Sequence, residues 1–135
     1  MSPDASGRTV ILAVDDEEDI LELIKMVLEE AGYVMLTALS GHEALQILYR
    51  TKPDLILMDI MMPGLDGMEL IKILKIMDSS ASIPIAVVSA KTDPADRLAA
   101  IQENAVDYIC KPFSPPELVK RVKEILKGGN NNSCI

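Results

Sequence analysis

The chain has 135 residues, 49% of them hydrophobic and 25% charged, which suits one globular domain with one core and excludes a disordered chain. Acids outnumber bases 21 to 13 for a formal charge of −8, and no basic stripe or interleaved aromatics offset it, so nucleic acid is an unsuitable partner. No apolar run approaches bilayer-spanning length, and Met1-Ser2-Pro3-Asp4 lacks the regions of a signal peptide, so a cytoplasmic chain without membrane contact is expected.

Short apolar runs alternate with amphipathic stretches five times. The first run, Val10–Val14, is followed by the acidic Asp15-Asp16-Glu17-Glu18-Asp19 and then a helical stripe of Ile20, Leu23, Ile24, Val27 and Leu28. Gly32 stands where that helix should stop. The second run is Val34–Ala38, and Ser40-Gly41-His42-Glu43 then fits a capping box, with Ser and Glu satisfying amides that a helix start leaves unpaired. The third run, Leu55–Asp59, leads into Met61-Met62-Pro63-Gly64. After the fourth, Ile85–Ser89, Asp93-Pro94 offers an N-cap followed by Pro at the first helical position. The fifth, Asp107–Cys110, precedes a second capping box, Ser114-Pro115-Pro116-Glu117, and a stripe of Leu118, Val122, Ile125 and Leu126.

Runs this short and this uniformly apolar suit parallel strands covered on both faces, so the expected fold is a doubly wound α/β sheet. Residues 1–8 are read as a flexible N-terminal segment and 9–127 as the domain. Residues 128–135 are read as a flexible tail or linker stub, since Gly128-Gly129-Asn130-Asn131-Asn132 cannot pack a core. Cys110 and Cys134 show neither metal-ligand spacing nor a disulfide framework, so both are expected reduced.

The polar residues fall in a pattern. Asp15 and Asp16 follow the first strand, Asp59 ends the third, Ser89 ends the fourth, and Lys111 follows the fifth. Parallel strands point one way, so these side chains gather at the carboxyl edge of the sheet, where open α/β folds bind ligands. Crowded carboxylates resist joint ionisation, and a hard divalent cation relieves that conflict. Lys111 and Ser89 add an ammonium and a hydroxyl for phosphoryl oxygens, and Asp59 an oxygen nucleophile. Singly, each residue has a plainer use. The acidic run suits a helix N-terminus, Asp59 a turn, Ser89 a strand end, Lys111 a solvated surface, and Tyr108 a half-buried core ring.

In order along the chain, Ile11-Leu12-Ala13-Val14-Asp15-Asp16-Glu17, Leu57-Met58-Asp59-Ile60-Met61-Met62-Pro63-Gly64-Leu65-Asp66-Gly67, Val87-Val88-Ser89-Ala90 and Asp107-Tyr108-Ile109-Cys110-Lys111-Pro112-Phe113 resemble the receiver domains of two-component response regulators. The likeness runs from about Thr9 to Lys127 and implies a flavodoxin-like (βα)5 fold with strand order 2-1-3-4-5. A receiver is itself a standard example of that order among doubly wound folds, so the order comes from the family and not from the residues. The resemblance implies that Asp59 is the phosphoacceptor, forming 4-aspartylphosphate. Asp15, Asp16, Asp59 and the backbone carbonyl of Met61 then hold Mg²⁺ or Mn²⁺, with Asp15 acting directly or through water. Ser89 and Lys111 contact the phosphoryl group, Lys111-Pro112 is cis, and Ser89 and Tyr108 form the switch pair, whose ring turns inward on phosphorylation. Met61 and Lys91 occupy the positions that tune phosphoryl lifetime. Asn104 stands where a glycine is frequent, a position Asn tolerates.

The implied partners are a sensor histidine kinase or histidine phosphotransfer protein, a downstream protein, and a phosphorylation-dependent homodimer. The implied activity is confined to the domain's own phosphorylation and dephosphorylation. Three rivals share parts of the pattern. A flavodoxin-like nucleotide or flavin binder needs a phosphate loop where Asp15–Asp19 stand. An aspartate-based phosphatase wants a second acid two residues after its nucleophile, where this chain has Met61. A phosphorylation-independent interaction domain has no need of the intact acidic set.

Overall fold

The computed structural model describes residues 7–62, 67–90, 94–103 and 105–128. The elements run β1 (Val10–Val14), α1 (Glu18–Glu30), β2 (Val34–Ala38), α2 (Gly41–Arg50), β3 (Leu55–Met58), α3 (Gly67–Ile76), β4 (Ile85–Ser89), α4 (Pro94–Gln102), β5 (Asp107–Cys110) and α5 (Pro115–Leu126). The strands form one parallel sheet in the order β2-β1-β3-β4-β5, the doubly wound fold expected.

Four strands match their expected bounds; β3 stops at Met58, one residue early. Asp59 still donates its N–H to the Val14 carbonyl at 3.0 Å. Its side chain then accepts the Met61 N–H at 2.8 Å, an Asx-type turn that bends the chain out of the ladder.

Alternation along each strand sends side chains to opposite faces. On one face Ile11, Ala13, Leu57, Val88 and Ile109 pack with α1 and α5. On the other, Leu12, Ile56, Met58, Val87 and Tyr108 pack with α2, α3 and α4. Each fully buried Leu or Ile stabilises the fold by about 1.5–3 kcal/mol relative to exposure. The α1 stripe is rotated slightly from its expected centre: Leu21, Ile24, Val27 and Leu28 are buried, while Ile20 and Leu23 flank them. On α5, Leu118, Val122 and Ile125 are buried as expected, Leu126 only partly, and Arg121 is buried among them.

The helix ends follow local chemistry. Ser40 accepts from the Glu43 N–H, and Glu43 reaches back to the Leu39 N–H, one residue before the cap. Ser114 likewise accepts from the Glu117 N–H. Helix α1 closes with Gly32 at φ +101°, its N–H donating to the Glu29 carbonyl while Tyr33 donates to Leu28. That paired pattern requires the left-handed conformation glycine takes without strain. Helix α4 begins at Pro94 as expected, and its expected cap, Asp93, lies outside the described residues. Asn104 and most of the segments 1–8 and 128–135 lie outside them too. Among the described residues no helix is long and apolar enough to cross a membrane.

Candidate functional site at the carboxyl edge of the sheet

Main-chain bonds continue the parallel ladder just past the strand ends. Asp15 N–H donates to Ala38, Asp59 N–H to Val14, and Lys111 N–H to Ser89, at 3.1, 3.0 and 2.9 Å. This brings Asp15, Asp59 and Lys111 to one edge although 96 residues separate the first from the last.

Lys111 Nζ lies 2.7 Å from Asp15 Oδ2 and 2.9 Å from Asp59 Oδ2, with Glu17 Oε1 at 3.5 Å. The two aspartates are buried, whereas Asp16 and Glu17 stand exposed at the rim. The remaining oxygens are also held: Asp15 Oδ1 accepts the Glu17 N–H at 3.0 Å and Asp59 Oδ1 the Met61 N–H at 2.8 Å. The loops thus aim the carboxylates before any ligand arrives, which is preorganisation.

Burial pushes the Asp15 carboxyl above its ordinary pKa, and the nearby Asp59 charge adds to this. Hydrogen bonds from Lys111 and the Glu17 amide, with the Lys111 charge, offset only part. For Lys111 burial alone would lower the pKa, but its hydrogen bonds to Asp15 and Asp59 and their charges outweigh that and hold it above the ordinary lysine value.

Asp15, Asp16, Glu17 and Asp59 each bring one carboxylate oxygen within 4.8 Å of the others. One ammonium cannot neutralise four carboxylates, and an all-oxygen donor set suits a hard divalent cation. The residues present therefore fit the acidic Mg²⁺ site expected. Glu17 joins the cluster without having been singled out for a role; its signal was its place in the acidic run after β1.

Ser89 is fully buried at the end of β4, on the strand beside β3. Tyr108 is also fully buried, packed in the cluster that holds Val87, Ala100 and Ala105. The plainer reading of a half-buried ring is thereby corrected, since the ring is enclosed by that cluster. The Met61 side chain is 50% exposed. Lys91 lies outside the described residues.

Three features were missed. Gly67 begins α3 so close to the site that a Cβ there would lie 2.4 Å from Ile60 Cα and 2.5 Å from the Asp59 carbonyl oxygen. Arg121 and Asp107 form a buried ion pair; the available signal was a charge at an apolar slot in each of two elements. Cys110, expected to be reduced, is disulfide-bonded, and Cys134 lies outside the described residues. The Lys111–Pro112 bond is cis, as the resemblance implies.

Comparison with known proteins agrees with this geometry. Residues 11–123 match the family described as the response regulator receiver domain. The phosphate regulon transcriptional regulatory protein PhoB of Pseudomonas aeruginosa is 43% identical over 121 residues, 90% of this chain and 52% of that protein. The alkaline phosphatase synthesis transcriptional regulatory protein PhoP of Bacillus subtilis is 44% identical over 117 residues, 87% of this chain and 48% of that protein. The chain thus spans about half the length of these relatives. Among solved structures, a response regulator from Chloroflexus aurantiacus superposes with TM-score 0.84 at 39% identity, covering 89% of this chain and 98% of that one. The chemotaxis response regulator CheY4 of Vibrio cholerae superposes with TM-score 0.83 at 30% identity, covering 87% and 98%.

Proposed function

The chain belongs to the response regulator receiver domain family, a signalling module of two-component systems, and on that premise we propose that Asp59 is its phosphoacceptor. The observation that carries the assignment is the doubly held Asp59 carboxylate, with Lys111 on Oδ2 at 2.9 Å and the Met61 N–H on Oδ1 at 2.8 Å. Asp15 is held in the same way, with Lys111 on Oδ2 at 2.7 Å and the Glu17 N–H on Oδ1 at 3.0 Å, and Asp59 is preferred because the receiver motif puts the acceptor at the end of the third strand.

The donor is a phosphohistidine on a sensor kinase or histidine phosphotransfer protein. An Asp59 oxygen attacks phosphorus, the O–P bond forms as the histidine N–P bond breaks, and the imidazole leaves. The product is an acyl phosphate. Lys111, already seated on Asp59, and the Ser89 hydroxyl take phosphoryl oxygens, supplying a charge and a donor. The carboxylates of Asp15, Asp16 and Asp59 and the Met61 carbonyl hold Mg²⁺ or Mn²⁺. When bound, the cation offsets the charge of the incoming phosphoryl group.

Ser89 and Tyr108 are the switch pair: on phosphorylation the hydroxyl is drawn toward the phosphoryl group and the inward place of the ring, where Tyr108 is fully buried, becomes the favoured one. A local charge event then biases a two-state surface around α4 and β5 toward a downstream partner or a second copy of the domain. The named transcriptional regulators are about twice as long as the segment they share with this chain. At a formal net charge of −8 the chain repels nucleic-acid phosphates, which favours a protein partner for this segment.

The test is incubation with acetyl phosphate or phosphoramidate in the presence of Mg²⁺, followed by intact-mass analysis. One phosphoryl group is expected, labile to hydroxylamine and absent from Asp59→Asn. Label persisting in that variant would place the acceptor elsewhere.

A further inference from the structure

Among the described residues strand β5 ends the sheet, pairing with β4 alone. An edge strand leaves main-chain groups without ladder partners, which is costly where water is excluded. Here side chains meet that need at Tyr108. Asp107 Oδ1 accepts the Tyr108 N–H at 2.7 Å. The Arg121 guanidinium donates to the Tyr108 carbonyl at 3.2 Å. The two side chains also bind each other, Nε to Oδ2 at 2.9 Å and Nη2 to Oδ1, a fork-to-fork pairing. Asp107 is 1% and Arg121 5% exposed, so the pair is sealed from water.

Strand alternation makes this arrangement directional. Tyr108 points its ring into the cluster beneath α3 and α4, while Ile109, the next residue, packs with α1 and α5. Arg121 belongs to α5, so the ring and its main-chain anchor are held from opposite faces. With the N–H and the C=O of residue 108 both tied, its backbone is fixed, and with it the direction of the Cα–Cβ bond from which the ring enters the cluster.

We propose that Arg121, acting with Asp107, is a positioning residue for Tyr108 that keeps its ring inward and couples its state to α5. The inference rests on reading Tyr108 as a switch residue, but its core, that the ion pair holds the ring inward, is separable from that reading.

The three tyrosines of the chain supply the assay. Tyr49 is 84% exposed and serves as the reactive reference; Tyr33 is half-buried against the opposite core cluster and reports global loosening. Nitration by tetranitromethane, read by peptide mass, is compared in wild type, Arg121→Lys, and the double variant Asp107→Leu with Arg121→Met. The double variant keeps the buried volume apolar, a replacement that folds tolerate, but offers nothing to the Tyr108 peptide groups. Arg121→Lys keeps the charge and loses the fork, which guards against a double variant that fails to fold.

The expected result is a rise of about fivefold or more in Tyr108 nitration relative to Tyr49, with Tyr33 unchanged, because local opening is selective. An unchanged Tyr108 ratio in every variant that folds overturns the proposal, as does a rise matched at Tyr33. Beryllofluoride with Mg²⁺, an acyl phosphate mimic, is then added to the variants. Restored protection of Tyr108 supports the switch as well as the anchor. A raised ratio that beryllofluoride leaves unmoved keeps the anchor and refutes the switch.

Discussion

At Asp15, burial opposes ionisation more than Lys111 favours it, so the carboxyl sits above its ordinary pKa of 3.8. A folded-state value above the unfolded one means that the folded protein binds this proton more tightly. The contribution to stability is then full below pH 3.8 and is lost as pH rises through the folded value. Ionised Asp15 therefore weakens the metal-free protein near neutrality. Asp15→Asn keeps an oxygen for Lys111 and removes the charge, so it should melt higher than wild type at pH 7 without metal. The gap should close as pH falls through the acid range. Melting curves across that range decide it, and a variant no more stable at neutrality contradicts the argument. Met61 makes a second residue-scale case. Its amide is anchored on Asp59 while its half-exposed thioether chain lies at the rim, able to cover the pocket and unable to orient water. Self-dephosphorylation should be slow, with Met61→Asn faster by roughly threefold to tenfold because it can hold a water in line. Lys91→Ala should change the rate less. Phosphate loss is followed after donor removal at constant Mg²⁺, and a Met61→Asn rate at or below wild type removes Met61 from control.

Among the elements, α3 is the one whose placement is tightest against the chemistry. It begins at Gly67 because the helix N-terminus passes over the backbone of Asp59 and Ile60 with no room for a Cβ. At 2.4 and 2.5 Å the clash is with main-chain atoms, which cannot rotate away as a side chain can. Gly67→Ala must move either the helix or the acceptor loop. The expected result is a destabilisation of about 1–3 kcal/mol together with slower phosphorylation by acetyl phosphate. Denaturant unfolding and labelling time courses measure the two. Wild-type behaviour in both shows that the helix start yields without disturbing Asp59. Elsewhere the elements follow their local codes: Ser40 and Ser114 cap as their spacing to Glu43 and Glu117 suggests, and Gly32 ends α1. Helix α1 is the exception. Glu17 caps it without a side-chain bond, its first turn carries Glu18 and Asp19, and the acidic run serves the helix dipole and the site at once.

For the whole molecule, the consequence of gathering acids at one edge is a fold that a divalent cation should stabilise. The unfolded chain scatters Asp15, Asp16 and Asp59, so the cation binds the folded state and shifts the equilibrium by mass action. Free Mg²⁺ at a hundred times its Kd contributes about 2.7 kcal/mol, on the order of ten degrees in melting midpoint for a domain of this size. Asp16→Ala should abolish most of that shift. Asp16 is exposed, so the metal-free midpoint should stay near that of wild type. Calorimetry or a thermal melt with and without Mg²⁺ tests this. An unchanged wild-type midpoint together with no binding by titration rejects the metal site.

The alternation of apolar runs, the caps and the strand-end positions of Asp15, Asp59, Ser89 and Lys111 were legible in the sequence. Each depends on neighbours a few residues away, or on the rule that parallel strands share a direction. Motif order added the family and the proposed acceptor. What the sequence could not hold was pairwise geometry across long separations: one lysine shared by two aspartates, Gly67 pressed on the Asp59 backbone, and Tyr108 wholly enclosed. Arg121 shows the reason best. By helical spacing it belongs on the apolar stripe with Leu118 and Val122, where a charge looks misplaced. Only the packing of α5 beside the open edge of β5 supplies Asp107 and the Tyr108 carbonyl as its partners. A buried charge is decided by which groups the fold brings within hydrogen-bond reach, and the order of residues along the chain does not contain that distance.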